Sequence, residues 1–201
     1  MNTPNVLTMG RIFAIPFLVV LLSFEWPEPY AYLLALIIFV LSVVTDVADG
    51  HIARSHHQVT DFGKFMDPLA DKMVVCAVLI CFIWIGILPA WLVIIVVARE
   101  FAISGFRAVA ADKNKVIAAN KWGKMKSQFQ YNAIITILVI LISGYTFTWE
   151  GFYFDVYGDI ALFKWFFLIY SNTVIWLMVA FTVISLYTYL HDNWSIISED
   201  M

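Results

Sequence analysis

Apolar residues in this chain fall into long continuous runs rather than alternating or recurring on one helical stripe. Six runs stand out, at residues 6–24, 30–49, 73–89, 91–109, 127–148 and 165–190. A helix needs about 20 mostly apolar residues to cross a bilayer core, and each run approaches or exceeds that length. Pro, Gly and charged residues punctuate the gaps: Glu25 to Pro29, Gly86 to Pro89, and Glu150 to Lys164. The pattern predicts an all-α integral membrane protein with six transmembrane helices forming a single domain over residues 1–201. Continuous runs argue against a barrel, whose strands alternate, and only helices or closed barrels satisfy every backbone group in lipid. Neither internal repeats nor low-complexity tracts interrupt the pattern.

Composition agrees. Across 201 residues 62% are hydrophobic, only 13% are charged, and mean hydropathy is +0.85. The net charge of −3 says less than where the charges lie. Arg11, Arg54, Lys64, Lys72, Arg107, Lys113, Lys115, Lys121, Lys124 and Lys126 all fall on one side of a six-span arrangement. Lys164 falls on the other, beside Glu150, Asp155 and Asp159. The positive-inside rule then puts both termini in the cytoplasm. Trp26, Tyr30, Tyr32, Trp91, Trp149, Tyr153 and Trp165 gather near the opposite interface, as an aromatic belt would. The first run carries Arg11 and Pro16 without a small-residue cleavage site, so it reads as a retained helix. No basic stripe on a soluble face supports a nucleic-acid role. Cys76 and Cys81 lack a C-x-x-C spacing and read as small buried hydrophobes.

Against this apolar background, Asp46, Asp49, Asp67 and Asp71 concentrate where the second run ends and the third begins. An Asp at the centre of a spanning helix costs about 2.5–3.5 kcal/mol on insertion scales, so four belong at an interface, paired or around metal. Asp46 and Asp49, three apart, share a helix face, and so do Asp67 and Asp71, four apart. A connection over residues 50–66 would let the two helices run antiparallel and bring the carboxylates together on the cytoplasmic side. Two divalent cations would cancel their repulsion, and hard oxygen ligands select Mg²⁺, Mn²⁺ or Ca²⁺ over zinc. Such a pair suits clamping a pyrophosphate for in-line displacement at phosphorus. Gly50 and Gly63 remove side chains where a phosphate or nucleotide approaches the backbone, and Arg54 supplies a cation for that phosphate.

The series Asp46-x-x-Asp49-Gly50-x-x-Ala53-Arg54, then eight residues, then Gly63-x-x-x-Asp67-x-x-x-Asp71 resembles the CDP-alcohol phosphotransferase signature at all its fixed positions. Outer segments extend the likeness along the chain: Asn5 to Arg11, Asp67-Pro68-Leu69-Ala70-Asp71-Lys72, Ala98-Arg99-Glu100 through Arg107, and Gly123-Lys124-x-Lys126, with Ser127 where Thr is expected. The resemblance implies the fold of that family and a reaction in which an alcohol attacks the phosphorus bound to diacylglycerol in CDP-diacylglycerol, releasing CMP. It implies that Asp46, Asp49, Asp67 and Asp71 hold two Mg²⁺ or Mn²⁺ ions, and that Asp71 is also the general base. Asp49, Gly50, Ala53 and Gly63 would line the cytidine pocket, with Arg54 on the pyrophosphate. It further implies phospholipid biosynthesis in a bacterial-type plasma membrane, with the active site cytoplasmic and the enzyme a homodimer. Thr8 and Arg11 are candidates to contact the nucleotide phosphate; snorkelling of Arg11 is the alternative.

Arg99 and Glu100 lie well inside the fourth run, where ionisable residues are costly and usually face an internal cavity. Glu100 and Arg107 are two turns apart on one face, and Arg99 lies about 80° from Arg107 around the helix. With Lys124 and Lys126 at the start of the fifth run, Arg99 and Arg107 suit an acceptor phosphate such as that of glycerol 3-phosphate. Lys113, Lys115 and Lys121 read instead as topology anchors at anionic lipid. His56 and His57 read as exposed loop imidazoles. Within the family, inositol phosphate, serine or phosphatidylglycerol are alternative acceptors. From another class comes a divalent-cation transporter using the four aspartates, disfavoured because the acids sit at span ends and the halves are unlike.

Overall fold

A computed structural model of the chain describes residues 3–24, 29–56, 61–112, 121–143 and 161–194. These are helical apart from short turns, in six helices: α1 (Thr3–Ser23), α2 (Tyr30–His56), α3 (Asp61–Trp84), α4 (Ala90–Asp112), α5 (Lys121–Ile142) and α6 (Ala161–Asp192). One helix therefore forms on each expected apolar run. Two differences in extent matter. α2 continues through the acidic motif to His56, and α3 begins at Asp61, so Gly50 and Gly63 are helical rather than part of a long connection. Hydropathy falls at Asp46, but Asp, Ala and Arg are compatible with helix, and one glycine lowers helix stability by only about 1 kcal/mol. α5 starts at Lys121, ahead of its apolar run, and gives way to a turn at Ser143.

The chain divides into two compact units. The first holds α1, α2, α3 and residues 134–142 of α5; in it α1 packs against both α2 and α3. α1 turns Thr8, Arg11, Leu18 and Leu22 inward. Phe13, Phe17 and Phe24 on its other side are 62%, 64% and 65% exposed, whereas Thr8 and Arg11 are 0% and 2% exposed. α2 likewise buries Ala31, Ala35, Phe39 and Ser42, about one turn apart, and exposes Leu33, Leu34, Ile37, Leu41 and Val44. Both faces are thus largely apolar, with the few polar residues Thr8, Arg11 and Ser42 turned inward, and the apolar exterior fits contact with lipid. The second unit holds α4, residues 121–133 of α5 and α6, with α4 packed on α6. It repeats the pattern: Phe101, Phe166, Ile169, Trp176 and Val183 face outward, while Arg99, Glu100, Lys126, Gln130, Thr182 and Ser185 are buried.

The turn closing α3 follows from Gly86, which has φ +81°. Its N–H bonds to Ile83 O at 3.0 Å and the next N–H, of Ile87, reaches Phe82 O at 2.9 Å. This is the Schellman arrangement, and it requires a left-handed residue where only glycine is unstrained. Among the described residues, α5 and a stretch of α6 from Ile169 are long and apolar enough to cross a membrane. Cys76 and Cys81 are free and buried on α3, as small core residues.

Candidate functional site

In the first unit, α1 brings a cation to the carboxylate-bearing helices. Arg11 Nη1 donates to Asp46 Oδ1 at 2.5 Å, a charge-assisted bond between a buried guanidinium and a carboxylate whose side chain is 35% exposed. Thr8, one turn before Arg11, is fully buried on the same side of α1. Oδ2 of Asp46 receives no hydrogen bond among the described residues, which leaves one hard oxygen available on its open side. Asp71 is half-buried on α3. Both acidic pairs lie within helices, Asp46 and Asp49 on α2 and Asp67 and Asp71 on α3, so the i, i+3 and i, i+4 spacings do place each pair on one helix face. The side chains of Asp49, Gly50, Ala53, Arg54, Gly63 and Asp67, and His57 entirely, lie outside the described residues. Among the described residues no group of three or more acidic, His or Cys side chains gathers as a metal site; Asp46 and Asp71 themselves carry carboxylate oxygens, the hard donors that suit Mg²⁺ or Mn²⁺.

A second cluster is built inside the second unit, and it contains charges that lipid would not tolerate alone. Glu100 on α4 accepts from Arg99 Nη1 at 3.0 Å and from Lys126 Nζ on α5 through the same oxygen, Oε1. Lys126 Nζ also donates to Gln130 Oε1, one turn along α5. Arg99 Nε donates to Ser185 Oγ on α6 at 2.9 Å. Arg99, Glu100, Lys126, Gln130 and Ser185 are all buried. α4, α5 and α6 thus meet through a network that, among the described residues, joins the cations Arg99 and Lys126, the anion Glu100 and the neutral Gln130 and Ser185. Arg99 needs room at α5: Gly123 leaves a gap in which a Cβ would stand 3.4 Å from Nη2. Arg107, two turns from Arg99, is exposed, whereas Tyr189 on α6 is buried. The Tyr189 hydroxyl makes no hydrogen bond of acceptable geometry. Lys124 is exposed.

Of the four proposed acceptor-phosphate residues, then, Arg99 and Lys126 meet at Glu100, while Arg107 and Lys124 are exposed. Glu100 and Arg107 are not equivalent in burial despite sharing a face, because Arg107 lies toward the end of α4. Sequence reasoning missed Gln130, Ser185 and Tyr189. A usable signal existed for the first, since Gln130 is four residues from Lys126 in an otherwise apolar helix. It also missed the Arg11–Asp46 pair, whose members are 35 positions apart.

The profile of the CDP-alcohol phosphatidyltransferase family matches residues 1–184. The chain belongs to this family. It is 38% identical to the CDP-diacylglycerol–glycerol-3-phosphate 3-phosphatidyltransferase of Bacillus subtilis, over 96% of this chain and 95% of that protein. A protein of the same name from Rickettsia bellii is 35% identical over 94% of this chain and 93% of its own. Another, from Sodalis glossinidius, is 40% identical over 69% of this chain and 77% of its own. The family is membrane-bound and its members are generally dependent on divalent metal; this chain is accordingly a transferase of phospholipid biosynthesis.

Proposed function

We propose that this enzyme transfers the phosphatidyl group of CDP-diacylglycerol to glycerol 3-phosphate, forming phosphatidylglycerophosphate and CMP. The observation that carries this reading is the buried, net-cationic Arg99–Glu100–Lys126 network in a chain whose full length matches relatives of that name. Such a network has no use for a neutral alcohol but suits a phosphorylated one. Asp46, Asp49, Asp67 and Asp71 would hold two Mg²⁺ or Mn²⁺ ions, which would supply positive charge to offset that of the pyrophosphate. Asp49, Gly50, Ala53, Arg54 and Gly63, with Thr8 and Arg11, bind the CDP part of the donor. Asp71 takes the proton from the acceptor hydroxyl as its oxygen bonds to the phosphorus attached to diacylglycerol. The bond from that phosphorus to the CMP oxygen breaks and CMP departs. Arg99, Arg107, Lys124 and Lys126 bind the acceptor phosphate.

The six helices are six spans of one membrane domain, with both termini and the active site cytoplasmic. Each has at least 21 residues, which at 1.5 Å per residue gives roughly 30 Å, the hydrocarbon thickness. The apolar exteriors of both units support contact with lipid, and the enzyme works as a homodimer. The deciding experiment gives purified protein CDP-diacylglycerol with a panel of alcohols and follows CMP and lipid product. Glycerol 3-phosphate is expected to support turnover, with chelation abolishing it and Mg²⁺ or Mn²⁺ restoring it. Turnover with serine or phosphatidylglycerol instead overturns the acceptor assignment, and undiminished activity in excess chelator overturns the metal assignment.

A further inference from the structure

Two buried polar atoms in the second unit lack hydrogen-bond partners: Nε2 of Gln130 and the hydroxyl of Tyr189. Gln130 and Tyr189 are only 2% and 3% exposed, so neither atom recovers its lost hydration from bulk solvent. Both adjoin the buried network. The Gln130 amide is oriented by Lys126 Nζ, which donates to its Oε1, so Nε2 of the same planar group lies alongside the Lys126 ammonium. Tyr189 stands on α6 one turn beyond Ser185, the residue that receives Arg99 Nε, and is buried like it. α5 and α6 therefore each carry a buried neutral donor without a hydrogen-bond partner: one on the residue that binds Lys126, the other one turn from the residue that binds Arg99. A water molecule would satisfy either atom singly. Two unpartnered donors adjoining a cluster with two cations also suit a multivalent oxyanion, because a phosphate monoester offers three terminal oxygens, each with more than one acceptor site.

We infer that the Tyr189 hydroxyl and the Gln130 amide are acceptor-binding donors that hydrogen-bond the phosphate of the incoming alcohol and select for it. This rests on the proposed reading of the Arg99–Lys126 network as the acceptor pocket. Neutral donors add direction without adding charge, and they penalise an alcohol without a phosphate, which leaves buried donors unpaired. The test is steady-state CMP release by the purified full-length enzyme, varying each substrate in turn, for wild type, Tyr189→Phe and Gln130→Met. Inorganic phosphate serves as a competitor against glycerol 3-phosphate. Each variant is expected to raise the apparent KM for glycerol 3-phosphate roughly 10-fold or more, the effect of losing a hydrogen bond to a charged group. The inhibition constant for phosphate should rise in parallel while the KM for CDP-diacylglycerol stays within about twofold. Unchanged acceptor KM in both variants overturns the inference. So does an equal rise for both substrates, which signals general disturbance, and so does a rise in acceptor KM with phosphate inhibition unmoved, which places the contact on the glycerol hydroxyls. Tyr189→Phe removes a single oxygen, so it decides the matter if Gln130→Met fails to fold. If wild type ignores glycerol 3-phosphate and uses another alcohol, the proposed function itself fails; unaltered variants of an enzyme that uses it sink only this inference.

Discussion

Replacing Glu100 by Gln gives the sharpest test of the buried network, because shape is kept and one charge is lost. In the native protein a single oxygen, Oε1, receives Arg99 Nη1 at 3.0 Å and Lys126 Nζ, and the Glu100 and Lys126 side chains are 9% and 2% exposed. Unit charges 3 Å apart interact by about 5–6 kcal/mol at an effective dielectric near 20, and the desolvation of Glu100 offsets part of that. Removing one member of a buried ion pair typically costs about 3–5 kcal/mol, since the partner charge stays buried without compensation. Two cations lose their anion here, and the Gln carbonyl retains a hydrogen bond, so a loss of about 3–4 kcal/mol is expected. The loss should be recoverable in two ways. Lys126→Met added to Glu100→Gln removes one uncompensated cation and should restore part of the stability, a coupling measurable in a double-mutant cycle. Saturating glycerol 3-phosphate should raise the melting temperature of Glu100→Gln more than that of wild type, because the phosphate replaces the missing negative charge. Ligand at a hundredfold over its Kd contributes about 2.7 kcal/mol. Thermal unfolding in detergent, followed by tryptophan fluorescence with and without the acceptor, measures all three. If Glu100→Gln melts with wild type to within about 0.5 kcal/mol, as a neutral surface change would, the account of this network is refuted.

Arg11→Gln removes a cation 2.5 Å from one oxygen of a proposed metal ligand, so the Mg²⁺ concentration for half-maximal activity should fall. A higher requirement would show that Arg11 organises Asp46 rather than competing for it. Asp71→Asn should abolish turnover while CDP-diacylglycerol binding, measured by equilibrium dialysis in detergent, stays close to wild type; normal turnover removes Asp71 from the role of base. Gly86→Ala should destabilise by about 1–2 kcal/mol through left-handed backbone strain alone, since a Cβ there meets nothing within 4 Å, and Gly86→Asn should cost less. Equal stability of Gly86→Ala and wild type in chemical denaturation would contradict the Schellman cap.

The number and order of helices were legible because lipid demands long apolar runs, and those runs leave a strong one-dimensional signal. Their ends were less legible where chemistry and hydropathy part company. α2 runs on through Asp46, Gly50 and Arg54 because helical hydrogen bonding is indifferent to the charge that breaks the apolar pattern. α5 likewise starts at Lys121, where basic residues mask a helix start. The acidic motif and the cations of α4 and α5 were visible for a related reason: each is a charge in an apolar chain, hence an exception that needs explaining. Ser185 and Tyr189 carry no such mark. A serine or tyrosine in a membrane helix is unremarkable by type, and only the packing of α6 on α4 brings Ser185 to Arg99 and buries Tyr189 one turn away.

Glu100 poses the remaining question, since an anion in a pocket for an anionic acceptor weakens substrate binding. On the proposed reaction, the acceptor phosphate is untouched by the chemistry and is carried into the product. Whatever affinity the pocket has for that phosphate is shared by substrate, transition state and product, and uniform binding of this kind does not raise kcat. A pocket with Arg99 and Lys126 uncompensated would hold the lipid product as firmly as it held the acceptor. On the proposed reading of this network as the acceptor pocket, Glu100, by engaging both cations at once, would keep them folded into the network when no phosphate is bound and would limit how tightly product is held when it is. The same residue therefore answers two demands, stability without ligand and release after reaction. Glu100→Gln should separate them, with a lower melting temperature, a lower KM for glycerol 3-phosphate and a slower release of phosphatidylglycerophosphate, seen as a burst of CMP before the steady rate. A raised acceptor KM in Glu100→Gln would mean that its carboxylate orders the cations for binding more than it restrains them.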